Sequence, residues 1–588
     1  MQLKLNKRFE YKNLPDMKSI RAEADKISRD ITLGTTLFMK KHNVKSEAEF
    51  KKKCIGSGYI SKHTHIGYTT WGKTTEAMVK IYEELEKRGS TVDRFGICFD
   101  QNMGLPEKYR EGQIKGISLM FDSDEQWLQM GQIVPVQPHM GDMVLGTPNA
   151  VHNTVMSLRA GATTVGNATH YWCQEYPGLE LEELRTIETT TALMIMGNFA
   201  SEGALVHSNV DDGFGGQMQD MANLAGFAKI ERYYMELLCG ANMSHCFGNM
   251  FSNPISRIIF NFTMSDYAKQ THDAVGSLIY GNTVGYGFDI DNNMGVLSSY
   301  VMADIIGQIY RPTGHSVAAV PVTEAMRIPD IDEIVQAHRI VDKAIEKAPY
   351  YAENMNWEKI MAEQEVLKKG GELFFERVMN GLDDMGVDTD HAGEIMAALK
   401  AIGPYQLEEV FGVGEADKNA LRGRHPLRPT DVVVDLRAKQ KEVMDRIDNV
   451  EGKLQGVKIV IASSDQHEFG KDLVKGVMES AGAAITDMGF SVAPANIADV
   501  IIETESKVLL VSTHNGFAYS YAKEVEAALK KNNIEGILFI MGGLLNENPE
   551  DGVLAVDVSD KLKNMGINID NDIDTMADTI KSFIEKNQ

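Results

Sequence analysis

Between residues 456 and 588, short apolar runs alternate with helical stretches, and no other feature restricts the fold of this chain as tightly. The runs fall at 457–462, 484–487, 508–512, 537–540 and 553–556, with helical segments such as 471–480 between them. Runs this short and this continuously apolar suit strands covered on both faces. The pattern predicts an α/β unit, a flavodoxin-like, doubly wound parallel sheet with helices on both sides. Such sheets bind ligands beyond the carboxyl ends of their strands, where the strand order reverses.

Three polar or glycine features stand at those ends. The first is Asp465-Gln466-His467-Glu468-Phe469-Gly470, directly after the first run. A histidine just past a buried strand, with a carboxylate two residues before it and a glycine three after, is arranged to offer one imidazole nitrogen to a metal. The carboxylate can hold the other nitrogen and fix the tautomer, while the glycine lets the backbone turn into the next helix. The second feature is Ser512-Thr513-His514-Asn515-Gly516 and the third is Gly542-Gly543. The glycine pair suits the close approach of a large flat ligand, to which Ser512 can donate a hydrogen bond. The candidate cofactor-binding residues are therefore Asp465, Gln466, His467, Gly470, Ser512, His514, Gly516, Gly542 and Gly543, with His467 as the metal ligand.

From about residue 60 to 329 a similar rhythm appears, with runs at 95–99, 133–137, 204–207 and 317–320 and helices such as 75–88. Asp100, His139 and Ser208 follow three of these runs. Over this length the pattern predicts a parallel (β/α) TIM-like barrel with its functional groups at the carboxyl ends of the strands. From 330 to about 421 the chain reads as helical, for example at 331–348 and 357–382. The basic, proline-bearing segment 421–429 marks a boundary. The expected organisation is a catalytic barrel with a helical extension over 1–430, a linker helix within 431–455, and a ligand-binding domain over 456–588. Cys239, His245 and Cys246 are compatible with zinc, but no second ligand pair accompanies them, so buried thiols are the simpler reading.

The 588 residues require two or more cores. A formal net charge of -24 argues against nucleic acid or an anionic membrane, since both call for a basic footprint. An enzyme acting on a small molecule fits better, the acidic surface serving solubility. Five cysteines without a C-x-x-C pair point to a reducing compartment. The start of the chain lacks an apolar run for a signal peptide, and no later stretch approaches a membrane span. A cytoplasmic homo-oligomer is expected.

Residues 456–588 resemble the cobalamin-binding domain of the adenosylcobalamin-dependent carbon-skeleton mutases, in the group of glutamate mutase and 2-methyleneglutarate mutase. The first motif, Lys471, Ala481-Gly482, Ile502-Glu503-Thr504, Val511-Ser512, Gly536-Ile537-Leu538 and Gly542-Gly543 carry the resemblance. It implies adenosylcobalamin as cofactor, His467 as lower axial ligand of its cobalt, Asp465 as partner of that histidine, and a nucleotide tail near Ser512 and Gly542. His514 departs from the group, which has leucine there.

The preceding region is more distantly similar to the catalytic barrel of the same group. That similarity runs through Gly146-Thr147-Pro148-Asn149, Ala160-Gly161, Tyr171, Tyr176-Pro177, Phe214-Gly215, Gly248-Asn249-Met250 and the region 311–324. It implies catalytic or contact roles for His65, Tyr171 and Tyr176, and sets Arg311 where the group has a lysine near the adenosyl moiety. His65, Asp100 and His139 stand where three arginines grip a dicarboxylate, and Asn167 stands where a carboxylate holds the substrate ammonium. An acid substrate without an amine is thus expected, with Lys62, Lys73, Arg159, His65 and His139 as the nearest donors to its carboxylates. The expected reaction is 2-methyleneglutarate to 3-methylitaconate. The alternatives are a glutamate-mutase-like reaction, a cobalamin-dependent aminomutase also using pyridoxal phosphate, and a corrinoid methyl carrier or cobalamin sensor.

Overall fold

The computed structural model describes residues 13–113, 115–116, 118–176, 178–418, 420–446, 451–465, 469–514, 516–547, 556–569 and 572–587. The chain is mixed α/β with parallel sheets and divides into two compact units. The first comprises Met1–Glu111, Ser118–Cys173 and Leu181–Val432; the second comprises Gly112–Ile117, Gln174–Glu180 and Val433–Gln588. The basic segment 421–429 belongs to the first unit. There Arg422 pairs with Glu408, Arg428 pairs with Glu363, and Leu427 N–H donates to Asp220. The helix Asp431–Arg446 begins at the first residue of the expected linker, two residues before the division, and continues past it.

In the first unit, β1 (Lys62–Ile66), β2 (Arg94–Ile97), β3 (Gln137–His139), β7 (Leu278–Ile279) and β8 (Ser316–Ala318) pair in the order β3-β2-β1-β8-β7, all parallel. β4 (Thr164–Val165), β5 (Leu205–Asn209) and β6 (Met243–Cys246) form a second parallel sheet in the order β4-β5-β6. Two isolated parallel bridges, Met140–Val165 and Phe247–Ile279, join the edges of these sheets.

A helix stands between each strand and the next. The helix Trp71–Lys87 follows β1: the Thr70 hydroxyl caps it by accepting from Lys73 N–H, and Ala77, Met78, Ile81 and Leu85 place its apolar stripe in the core. The run 133–137 becomes strand only at its last residue. Pro135 has no N–H to offer a ladder, and Val136 N–H closes a tight turn onto Val134 O, so the chain extends from Gln137 onward. A short antiparallel pair, β9 (Glu415–Ala416) and β10 (Arg424–His425), follows the helical extension.

The second unit is built on β11 (Lys458–Ser463), β12 (Ala484–Asp487), β13 (Val508–Thr513), β14 (Leu538–Gly543) and β17 (Asn568–Ile569), parallel in the order β12-β11-β13-β14-β17. Successive side chains point to opposite faces. Val460, Leu509, Val511, Phe539 and Met541 pack on one side against helices Pro494–Thr504 and Ala518–Lys531. Ile459, Ile461, Leu510, Leu538 and Ile540 pack on the other against helices Phe469–Ser480 and Ile573–Lys586. The run 553–556 was expected to supply the fifth strand. Residues 553–555 lie outside the described residues, and Val556–Asp557 (β16) pairs antiparallel with Asn546–Glu547 (β15). The fifth position belongs to β17, two residues long and half polar, which gives no apolar run to detect. Among the described residues, no helix is long and apolar enough to cross a membrane.

Candidate functional sites

At the carboxyl end of the second unit's sheet, Gln466, His467 and Asn515 lie outside the described residues, but the groups around them are described. Asp465 is buried, and its Oδ2 accepts from His514 N–H at 2.6 Å and from the Ser464 hydroxyl at 3.2 Å. One carboxylate thereby ties the end of β11 to the end of β13. Lys471, also buried, fixes the following helix to the end of β12 through Asp487 at 2.8 Å. Burial raises the Asp487 carboxyl, but Lys471 and Lys475 outweigh it and hold the group below its ordinary range.

Strand register sets Ser463, Ser512 and Gly542 side by side, and Thr513 beside Gly543. Ser512 and Gly542 share the face covered by helix Phe469–Ser480. A Cβ on Gly470, in the first turn of that helix, would meet only the Ser512 hydroxyl, at 3.4 Å. Glycine at 470 therefore brings no side chain of its own against the serine hydroxyl. Gly543 has φ +94, and a Cβ there would lie 2.3 Å from Thr513 O, so no other residue fits without backbone movement. Gly516, at φ +75, turns the chain into helix Ala518–Lys531. On the opposite face the buried Thr513 Oγ1, and on β15 the buried Asn546 Oδ1, have no hydrogen-bond partner among the described residues. A glycine facing the serine hydroxyl on one face, and buried polar atoms without partners among the described residues beyond the other, suit a large ligand carrying donors and acceptors.

In the interior of the first unit four imidazoles form one cluster: His63, His65, His139 and His207. His65, Gly96 and His139 are aligned across β1, β2 and β3, with His63 one step below His65 on the same face. His63 Nε2 lies 3.2 Å from His65 Nε2, the His63 and His139 rings are 6.1 Å apart, and those of His139 and His207 are 4.6 Å apart. Glycines make room for them: a Cβ on Gly96 would meet His63 and His65, one on Gly141 would meet His139, and one on Gly166 would meet His207. Beneath them Arg94 donates to Ser277 O at 2.8 Å and to Ser277 Oγ at 3.0 Å, while Glu47 pairs with both Arg94 and Lys51. Burial drives the His63, His139 and His207 pKa values well below the ordinary value and that of His65 to about 3, Arg94 adding to the effect in each case. All four rings are neutral at pH 7.

Acidic groups gather past the carboxyl ends of the strands. Burial and the charge of Asp212 push the Asp142 carboxyl up to about 7. Burial raises the Cys98 thiol and the Tyr280 phenol, and the charges of Asp142 and Glu324 raise both further. The cations expected to receive substrate carboxylates are engaged elsewhere or exposed. Lys62 pairs with Asp342 on helix Ile331–Ala352, Lys73 is exposed in the first turn of its helix, and Arg159 donates to Asp30 O at 3.2 Å.

Of the residues anticipated from sequence, His65 and His139 stand level on β1 and β3 with Gly96 between them, and each has His63 as a ring neighbour. Asp100 caps a short 3-10 turn by accepting from Asn102 N–H, and Asn167 Oδ1 accepts from Thr169 N–H and from Asn209 N–H, tying β4 to β5. The Tyr171 hydroxyl bonds Thr186 on the neighbouring helix at 2.8 Å. Tyr176 is buried and falls in the segment grouped with the second unit. Arg311 stands apart: it follows helix Ile290–Tyr310, leads into the amino end of β8 and pairs with Asp266, far along the strand from the carboxyl-end groups. Cys239 and Cys246 are buried free thiols, and His245 bonds Glu231 at 3.1 Å. Among the described residues no group of three or more histidine, cysteine or acidic side chains is arranged to hold a metal ion. His63, Arg94, Asp142 and His207 were not anticipated as site residues. The spacing of His63 and His65, two apart on a strand, was the available signal for the first of them.

No family model and no curated protein matches the chain. Among solved structures, a cobalamin-binding protein from Desulfitobacterium hafniense DCB-2 matches over 37% of this chain and 93% of that one, with 16% identity and a TM-score of 0.20. A likeness at that level carries no conclusion about this chain.

Proposed function

We propose that the protein is an adenosylcobalamin-dependent radical mutase, its second unit a flavodoxin-like cobalamin-binding domain and its first a closed (β/α) TIM-like barrel housing the substrate. The observation that carries the reading is the strand-end arrangement in the second unit: Asp465 buried between β11 and β13, with Gly470 facing the Ser512 hydroxyl and Gly542 beside Ser512 in register. The sheet order, with its second strand at one edge and its first beside the third, is that of flavodoxin-like folds. The bridges Met140–Val165 and Phe247–Ile279 support a closed barrel, since with them every strand from β1 to β8 has two parallel neighbours.

In this reading His467 would be the cobalt ligand, Asp465 would orient it, and Ser512 and Gly542 would hold the cofactor's nucleotide tail. When bound, the cofactor would supply the radical chemistry of the rearrangement. The chain's own residues position the substrate and keep water out. Neutral imidazoles line the interior, and glycines at 96, 141 and 166 let them approach the neighbouring strands closely.

The reaction expected from resemblance, 2-methyleneglutarate to 3-methylitaconate, needs cations for two carboxylates. Asp142, Asp212 and Glu324 instead favour a second reading in which the substrate carries an amine, as in an aminomutase. Two measurements test the proposal. Titration with adenosylcobalamin is expected to saturate at one per chain, with His467→Ala weakening binding tenfold or more. Holoenzyme mixed with glutamate, 2-methyleneglutarate, methylaspartate, lysine and ornithine should rearrange at least one of them by NMR; methyl transfer without rearrangement would favour a corrinoid carrier instead.

A further inference from the structure

In the second unit, the chain before His467 and the chain after it are anchored separately. Before it, the Asp465 carboxylate accepts from His514 N–H, and Asp465 O accepts from Ser491 N–H at 3.2 Å. After it, helix Phe469–Ser480 carries the buried Lys471 in its first turn. A cation there opposes the helix dipole, and a buried ammonium needs a carboxylate beside it, so helix formation alone does not favour lysine at this position. Its ammonium donates to both Asp487 oxygens, at 2.8 and 3.0 Å, and lies 3.0 Å from Asp472 Oδ1. Asp487 also receives Lys475 at 2.9 Å and accepts from Gly489 N–H at 2.9 Å. The residues after Asp487 are tied to the end of β11: Gly489 O accepts from Ser463 N–H at 2.9 Å, and Ser463 O from Val492 N–H at 3.2 Å. Lys471 thus fastens the start of the helix to a turn that is itself fastened to the strand leading to Asp465. Leu473, Val477 and Met478 also bury the helix against the sheet, but that attraction is non-directional and tolerates a small slide, which the ion pair does not.

We propose that Lys471 and Asp487 are a positioning pair for the cobalt ligand: they fix the helix start that follows His467 and thereby decide whether a protein imidazole reaches the metal. This rests on the cobalamin reading above and deepens it. Neither residue touches the corrinoid; both act through the backbone. Asp465 sets the near side of His467 and the pair sets the far side. Loss of the pair leaves Asp465, Ser512 and Gly542 in place to hold the cofactor, while the ligand loses its register. A buried ion pair contributes little net stability over apolar side chains of the same size, so what this one adds to the helix is a single geometry.

The test uses full-length protein with bound cob(II)alamin, read by electron paramagnetic resonance. A nitrogen on cobalt splits each cobalt line into a triplet; labelling the protein with the heavy nitrogen isotope turns the triplet into a doublet only when that nitrogen belongs to the protein. Labelled wild type is expected to give the doublet. In Lys471→Met the ratio of protein-ligated to unligated cobalt should fall about tenfold, with cob(II)alamin affinity within about threefold of wild type. Lys475→Met, which removes the half-buried lysine from the same carboxylate, should leave the spectrum unchanged. Lys471→Met combined with Asp487→Asn removes both charges, and it should recover the thermal stability lost in the single variant without recovering the doublet. Absence of uptake by wild type would sink the cobalamin reading and the positioning pair together. A triplet that survives labelling in wild type, a full doublet in Lys471→Met, a doublet restored in the double variant, or loss of uptake by the double variant would overturn the positioning pair and leave cobalamin binding standing.

Discussion

Gly96 sits between two imidazoles, and its hydrogen is what lets them pack. A methyl group there would lie 2.6 Å from His63 Cε1 and 2.9 Å from His65 Cδ2, with strand backbone on either side. Gly96→Ala is expected to cost about 1–3 kcal/mol through overpacking, read as a lower urea midpoint of tryptophan fluorescence. Asp465 makes a second single-residue case. Asp465→Ala leaves the His514 amide without its acceptor, at a cost of about 1–3 kcal/mol, and should weaken adenosylcobalamin tenfold or more. Asp465→Asn keeps an acceptor oxygen and should recover most of the stability. Residues of this kind were unevenly legible. Asp465 announces itself through its motif, whereas Arg94 and His207 acquire meaning only from Ser277, a partner far away in sequence that periodicity cannot supply.

At the scale of elements, the strands that read clearly were those with continuous apolar runs. β12 matches its run residue for residue, and β11, β13 and β14 differ from theirs by a few residues at the ends. Elements two or three residues long, such as β4, β7 and β17, carry too little pattern and owe their existence to neighbours already in place. The helix Ala518–Lys531 shows the same dependence at its start. Its own preceding residue, Phe517, provides no side-chain cap; Glu547, distant in sequence on β15, accepts from Tyr519 N–H at 2.8 Å and from Ser520 N–H at 3.1 Å. Glu547→Ala should destabilise this helix by about 1 kcal/mol. Hydrogen exchange should report the loss first at the Tyr519 and Ser520 amides; exchange there matching the wild type would show that another group caps the helix.

The two units should respond differently to acid. In the first, His63, His65, His139, His170, His207, His245, His315 and His338 are held neutral, burial pushing each below the ordinary imidazole value and those of His65, His170, His315 and His338 to about 3. A group depressed in the folded state contributes stability that is full above its unfolded value, about 6.5, and is lost as pH falls toward its folded value. Seven carboxyls act in the opposite sense. Burial raises Asp142 and Glu231 to about 7 and Asp211 and Asp220 to about 6, so their contribution is full near pH 4 and is lost as pH rises through 6 to 7. It also lifts Asp93, Glu188 and Asp304 above the ordinary carboxylate value. With eight imidazoles against the four carboxyls that still titrate at pH 6 to 7, the first unit should lose stability between pH 6.5 and 5. In the second unit, Asp487 is held low by Lys471 and Lys475, so its contribution persists down to about pH 4. All four tryptophans, Trp71, Trp127, Trp172 and Trp357, belong to the first unit, so their fluorescence follows it alone. Thermal melts should show the tryptophan transition moving down by several degrees from pH 7 to pH 5, while circular dichroism, which sees both units, resolves a second transition that stays in place. A tryptophan transition that holds still over that interval would mean that the buried imidazoles are matched by the carboxyls after all.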